Sequence, residues 1–259
     1  MLEHITVRAI ILAAGLGTRL HPLTVDRPKA MLTMLDEPNL HRCIRQLMAH
    51  GIHDITVVVG YRAELVLAET GACLHKAIQY VFAPNYQTTG TAESFFLAAC
   101  ARKTDEILIV EGDVVFEDEV LKRLLQSIGS ANVAAVAKFK PPLSGTVVHL
   151  DNVSIISHVT RGAKPGEFPD AYKTVNLYCF TSAFVSHLCR LYEEIREREP
   201  TSYLEDLIRK AVSQNWEIKA VDCTDCKWYE VDDLSDLINA RQIFGYSEPE
   251  VESHAEISH

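Results

Sequence analysis

Apolar residues recur along this chain in two rhythms. Residues 7–12, 55–59 and 107–110 are short, nearly continuous runs rich in β-branched side chains, the pattern of strands covered on both faces. Between them, Leu40, Cys43, Ile44, Leu47 and Met48 fall on one helical stripe, and Ala92, Phe95, Phe96, Ala99 and Cys100 repeat its spacing. Such alternation predicts an α/β fold, a mostly parallel sheet with helices on both faces. Past Asn132 the rhythm changes. Short β-rich segments at 133–137, 146–150, 154–159 and 174–180 are divided by Pro141-Pro142, Arg161-Gly162 and Lys164-Pro165-Gly166, which predicts a small mixed or antiparallel β lobe. Helical spacing returns at Leu204, Leu207, Ile208, Ala211 and Val212, and a last helix is expected after Asp233. With no internal repeat or linker, residues 1–246 are expected to form a single domain. Residues 247–259, acidic and aperiodic, are expected to be a frayed tail.

Composition narrows the classes. The chain has 259 residues, 47% of them hydrophobic, and a mean hydropathy of +0.02, which suits a globular protein with a sizeable core. No apolar run approaches the ~20 residues of a membrane span, and residues 1–8 lack a secretory-signal layout. The expectation is a cytoplasmic protein with no membrane partner. A formal net charge of −10 argues against a nucleic-acid surface, which needs clustered cations. Seven cysteines without regular spacing suit reduced thiols. Cys223 and Cys226 form a lone CxxC, and a zinc site would need a second pair.

The stretch AIILAAGLGTRLHPLTVDRPKAML, from Ala9 to Leu32, carries the candidate chemistry. In open α/β sheets, ligands bind at the carboxyl ends of the parallel strands, and the first strand would deliver residues 13–19 to that edge. Gly15 and Gly17 would let backbone N–H groups approach an anion. Thr18 adds a hydroxyl, Arg19 a phosphate fork and Lys29 a point charge. A polyphosphate fits these demands. Neither familiar phosphate loop does: Leu20 stands where a dinucleotide fingerprint wants a third glycine, and no GK[ST] follows.

L-A-A-G-x-G-T-R-x-x-P-x-T followed by P-K resembles the signature of the nucleotidyltransferases that activate sugar phosphates and related small phosphorylated molecules. The resemblance implies a Rossmann-like sheet and a loop from Ala13 to Arg19 that holds a nucleoside triphosphate. It also implies that Arg19 meets the outgoing pyrophosphate and Lys29 the α-phosphate. Such chemistry calls for a divalent cation, and Mg²⁺ usually takes one or two carboxylates plus phosphate oxygens. ILIVEGDVVF offers Glu111 and Asp113 at a strand end, and KWYEVDDLSDL offers Asp232 and Asp233. Asp233 suits a helix cap, which leaves Asp232 over. By resemblance Asp113 and Asp232 hold the metal, with Glu111 as a supporting neighbour.

The later segments YKTVNLYCF, SYLEDLIRKAV, SGTVVHLDN and KWYEVDDLSDL are more similar to cytidylyltransferases acting on phosphocholine and on phosphonates. CTP is therefore the expected donor, with the base read near Leu12, Ala13 and Ala14 and in the loop carrying Asn85, Gly90, Thr91 and Ala92. In the phosphocholine enzymes a tryptophan commonly precedes the counterpart of Ser144-Gly145-Thr146, whereas here Lys138 and Lys140 stand before it. Those lysines point to an acceptor with an extra anionic group or without a balancing ammonium. Lys138, Lys173, Asn176 and Glu205 are the expected acceptor-binding residues, although Lys173 in an alternating strand could equally face solvent. Two rivals remain: a sugar-1-phosphate nucleotidyltransferase using UTP or dTTP, compatible with Gly90-Thr91-Ala92, and a non-catalytic nucleotide-sensing subunit. Apolar segments of the second lobe leave a homodimer open.

Overall fold

Strand β1 (Val7–Ala13) is buried on both sides, and the fold is built outward from it. The computed structural model describes residues 7–73, 78–101, 106–129 and 131–246. The expected tail at 247–259 lies outside the described residues. After β1 come α1 (Asn39–Ala49), β2 (Ile55–Val59), α2 (Ala63–Cys73), β3 (Ile78–Phe82) and α3 (Thr91–Ala101). They are followed by β4 (Glu106–Glu111), β5 (Val114–Phe116), α4 (Asp118–Gln126), β6 (Val133–Lys138) and β7 (Gly145–Leu150). The last elements are β8 (Ile156–Ala163), β9 (Tyr172–Thr181), α5 (Ser182–Ile195), α6 (Leu204–Ser213), β10 (Lys219–Asp222), β11 (Trp228–Glu230) and α7 (Leu234–Ile243).

Successive side chains of a strand point to opposite faces, so β1 needs cover above and below. Ala9, Ile11 and Ala13 pack with Leu40, Cys43, Ile44 and Leu47 of α1 in one core. Ile10, Leu12 and Ala14 pack with Ala92, Phe95, Ala98 and Ala99 of α3 in the other. The main sheet runs β10-β6-β9-β4-β1-β2-β3, with β4, β1, β2 and β3 mutually parallel. Order changes at β9, which is antiparallel to both β4 and β6, while β7 pairs antiparallel with β8 and β9. The expected α/β sheet and its mixed second region are both present.

Two irregularities matter for function. The β6–β9 register shifts between Ala134 and Val136, and within the bulged stretch of β9 Asn176 takes a positive φ of 61°. Bulges of this kind re-aim side chains beside active sites. In addition, β5 and β11 leave the main sheet to form an antiparallel ribbon in which Glu230 pairs with Val114.

Candidate active site

The loop after β1 is held by its own sequence. Gly17 sits at φ +63°, and a Cβ there would lie 2.9 Å from the Cβ of Lys29. Only glycine meets both demands cheaply. The Thr24 hydroxyl donates to the Gly17 carbonyl at 2.7 Å, and Leu20 is fully buried. Arg19 therefore projects from a pinned 3₁₀ turn, Thr18–Leu20. Lys29 opens the next turn, Lys29–Met31, directly after Pro28.

Asp113 and Asp232 meet because of the ribbon. Asp113 immediately precedes β5 and Asp232 closely follows β11, so antiparallel pairing brings the start of one beside the end of the other. The Val231 amide donates to the Asp113 carbonyl at 3.0 Å. Buried Asn39, at the head of α1, donates to the carbonyls of Gly112 and Val114 at 3.1 and 3.0 Å, and so clamps the turn that carries Asp113. Asp233 caps α7 by accepting from the Asp236 amide at 3.0 Å, as its position suggested, and Asp232 is left free for the site.

Lys29 Nζ stands between the two carboxylates, 2.8 Å from Asp113 and 2.7 Å from Asp232. Arg19 reaches the same Asp232 oxygen at 2.9 Å. Burial alone would pull the Lys29 ammonium down, but the paired carboxylates outweigh it and hold its pKa above the ordinary lysine range. Burial pushes Asp232 up, yet Lys29 and Arg19 prevail and its carboxyl lies below the usual range. Glu111 behaves oppositely: burial, then Glu205 and Asp113, push it well above the usual carboxylate range.

These side chains line one cleft with two lobes. The first, of about 240 Å³, is bounded by Leu12, Ala13, Ala14, Gly15, Lys29, Gly90, Thr91 and Asp113. The second, of about 440 Å³, shares Gly15, Lys29, Thr91, Glu111 and Asp113 and adds Gly17, Thr18, Arg19, Thr146, Glu205, Glu230 and Asp232. Gly90 closes the rim, since a Cβ there would lie 2.1 Å from the Ser202 carbonyl oxygen.

Five expected residues line neither lobe: Asn85, Ala92, Lys138, Lys173 and Asn176. Asn85 is exposed, and its carbonyl accepts from the amides of Thr88 and Thr89; it shapes the loop rather than lining the cleft. Ala92 is fully buried in the α3 core, because its side chain belongs to the helix stripe. Lys138 lies outside the cleft with Nζ 4.0 Å from the centre of the Tyr172 ring. In their places Tyr86, Thr89 and Ser94 line the first lobe, and Arg161 and Tyr203 the second.

Lys173 is 1% exposed, which removes the solvent-facing alternative. Its Nζ pairs with Glu230 at 2.8 Å, and Asn176 donates to the other Glu230 oxygen at 3.0 Å. Lys173 and Asn176 thus hold Glu230, a residue that sequence reasoning missed. The signal was present: Glu230 lies two residues before Asp232, on the same face of an extended segment. Glu205 accepts from the Thr146 hydroxyl at 3.1 Å. Among the described residues Glu111, Asp113 and Glu230 each offer a carboxylate oxygen within 4.8 Å of the others. The seven cysteines, including Cys223 and Cys226, are free thiols. No helix among the described residues is long and apolar enough to cross a membrane.

Residues 8–245 match the sequence profile of the nucleotidyl transferases. The chain belongs to that family. It is 34% identical over 256 residues to the CMP-5'-(3-aminopropyl)phosphonate synthase of Streptomyces rubellomurinus, covering 95% of this chain and 40% of that protein. It thus spans less than half the length of that relative. It is 25% identical over 254 residues to the CTP:phosphoglutamine cytidylyltransferase of Campylobacter jejuni, covering 89% of this chain and 98% of the relative. The fold resembles that of the CTP:phosphocholine cytidylyltransferase of Streptococcus pneumoniae, with a TM-score of 0.76 at 18% identity, over 93% of this chain and 100% of that one.

Proposed function

We propose that this nucleotidyl transferase moves CMP from CTP to a small phosphonate or phosphorylated alcohol and releases pyrophosphate. The observation that carries the reading is Lys29 Nζ held between Asp113 and Asp232 where the two cleft lobes join. Resemblance to a CMP-phosphonate synthase and to a cytidylyltransferase supports cytidine over other bases.

The donor set fits Mg²⁺. Asp113 and Asp232 are hard oxygen ligands close enough to share one ammonium, and Asp113 Oδ1 is buried without a hydrogen-bond partner. When bound there, Mg²⁺ neutralises phosphate charge and aligns reacting oxygens. The protein's own groups do the rest. An ammonium has three N–H donors, and Lys29 spends two on carboxylates, which leaves one for an α-phosphate oxygen. Arg19, 68% exposed with one partner, has N–H groups to spare for the leaving pyrophosphate. Gly15 leaves the phosphates room, since no protein atom lies within 4 Å of the Cβ it lacks.

An acceptor oxygen bonds to the α-phosphorus, the bridge to the β-phosphate breaks, and its electron pair leaves with pyrophosphate. A phosphate-type oxygen ionises with a second pKa of about 6, so no protein base has to take a proton. Rate enhancement then rests on positioning and charge stabilisation. A sugar-1-phosphate reading is favoured by relatives such as the glucose-1-phosphate uridylyltransferase of Haloferax volcanii, 29% identical over 192 residues, and the mannose-1-phosphate guanylyltransferase catalytic subunit beta of Drosophila melanogaster, 26% identical over 243 residues. Pyrophosphate release measured with CTP, UTP, dTTP, GTP and ATP against phosphonate and sugar-1-phosphate acceptors separates the two. The proposal expects CTP with a phosphonate or phospho-alcohol to dominate. Turnover only with a sugar 1-phosphate, or CTP binding without turnover, overturns it.

A further inference from the structure

The start of helix α6 bridges the two lobes of the cleft. Tyr203 at its N-cap and Glu205 in its first turn are walls of the second lobe. Strands β7 and β8 hold this turn from one side: the Thr146 hydroxyl donates to Glu205 at 3.1 Å, and Arg161 pairs with Asp206 at 2.5 Å. The head of α3 holds it from the other. The amides of Gly90 and Ala92 donate to the carbonyls of Pro200 and Ser202 at 3.1 and 3.2 Å. The Leu204 amide in turn donates to the Thr91 hydroxyl oxygen at 2.9 Å, and Thr91 lines both lobes.

We infer that Thr91 is a positioning residue, whose hydroxyl passes nucleotide occupancy of the first lobe to the α6 wall of the second. This rests on the cytidylyl-transfer reading and adds a coupling between its two substrates. The first N–H groups of a helix have no intrahelical partner, and Leu204 is fully buried, so its amide depends on Thr91. A hydroxyl also has one O–H to donate. That of Thr91 meets no acceptor among the described residues, which leaves it for a ligand in the cleft. Chained hydrogen bonds polarise one another. A nucleotide atom that accepts from Thr91 therefore strengthens the Leu204 bond, and with it the turn that carries Tyr203 and Glu205. Coupling between two binding sites is reciprocal, so an acceptor that settles against this turn tightens CTP in return.

The test follows amide hydrogen exchange across residues 203–208 with Mg²⁺ and the unreactive analogue α,β-methylene-CTP, no acceptor being present. Bound nucleotide should slow exchange there in the wild type by about fivefold or more, the lower end of ordinary coupling between sites. Thr91→Val keeps the shape of the side chain and removes the hydroxyl, so bound nucleotide should leave exchange at 203–208 unchanged. Thr91→Ser should restore the slowing. In turnover at saturating CTP, Thr91→Val should raise the KM for 2-aminoethylphosphonate by about fivefold or more, with Thr91→Ser close to wild type. Thr91→Ala serves in both measurements if the valine variant fails to fold. Analogue bound by calorimetry without slower exchange at 203–208, or with equal slowing in wild type and Thr91→Val, would overturn the coupling and leave cytidylyl transfer intact. Failure of the wild type to bind either CTP or the analogue would instead remove the reading beneath it.

Discussion

Replacing Lys29 with methionine removes the charge at the centre of the cluster and keeps most of the side chain's volume. In the native protein the Lys29 side chain is 13% exposed, and the carboxylates it bonds are 22% and 28% exposed. Breaking a buried ion pair by deleting one partner costs ~3–5 kcal/mol. Partial exposure and the remaining Arg19 contact to Asp232 lower this to roughly 2–3 kcal/mol, or roughly 4–12 °C in melting temperature for a chain of this size. The pH dependence has a definite sign. Asp232 has a depressed pKa when folded, so its contribution is complete above its unfolded value of about 3.9 and is lost as pH falls through the folded value. Lys29 has a raised pKa, so its contribution is complete below about 10.4 and is lost only as pH rises through its folded value. The stability gap between wild type and Lys29→Met should therefore be flat from roughly pH 5 to 10 and close in acid. Urea unfolding across that range reads the gap, and single-turnover kinetics should show kcat reduced on the order of 10²–10³. Adding Asp232→Asn to the lysine variant should recover part of the stability, because neighbouring charges are not additive. Equal unfolding midpoints together with near-normal turnover would refute the reasoning.

Other expectations follow from the same geometry. Asp113→Asn should cut metal-dependent turnover by on the order of 10³, and a Mn²⁺ titration followed by electron paramagnetic resonance should show weakened binding in the presence of CTP. Gly15→Ala should melt like wild type, because no protein atom crowds the new methyl, but should bind CTP about tenfold more weakly, a loss of ~1.4 kcal/mol, by equilibrium dialysis. Gly17→Ala, at φ +63° and against Lys29, should instead lose roughly 1–3 kcal/mol of stability, read by denaturant unfolding. Asn39→Ala removes the clamp on the Asp113 turn and should cost about 1–3 kcal/mol and lower kcat more than it raises KM for CTP.

The central strands were legible because burial on both faces leaves a nearly continuous apolar run, as in β1 and β2, where only Arg8 and Thr56 interrupt it. Strand β3 gave no such signal, being partly exposed along its length at the end of the sheet. Helix α2 buries only Val66 and Thr70 among its described side chains, too narrow a face to imprint a helical stripe. Within the site, Arg19, Lys29, Asp113 and Asp232 were readable because each follows a strand or turn with its own sequence marking. The buried state of Lys173 and its pairing with Glu230 were not, since they depend on a bulge in β9 and on a ribbon joining residues more than one hundred positions apart. The place of Lys138 was hidden for a related reason: its neighbour Tyr172 comes from the paired strand, and single-sequence spacing does not reveal that ring.

Phosphorus magnetic resonance of CTP, Mg²⁺ and 2-aminoethylphosphonate mixed with the protein tests the central claim most directly. The account predicts two new coupled signals, from a phosphonate joined to the α-phosphorus of CMP, rising in step with pyrophosphate and absent when Lys29 is replaced by methionine. Pyrophosphate or free CMP without that coupled pair, or the same product formed at an unchanged rate by the variant, would contradict it.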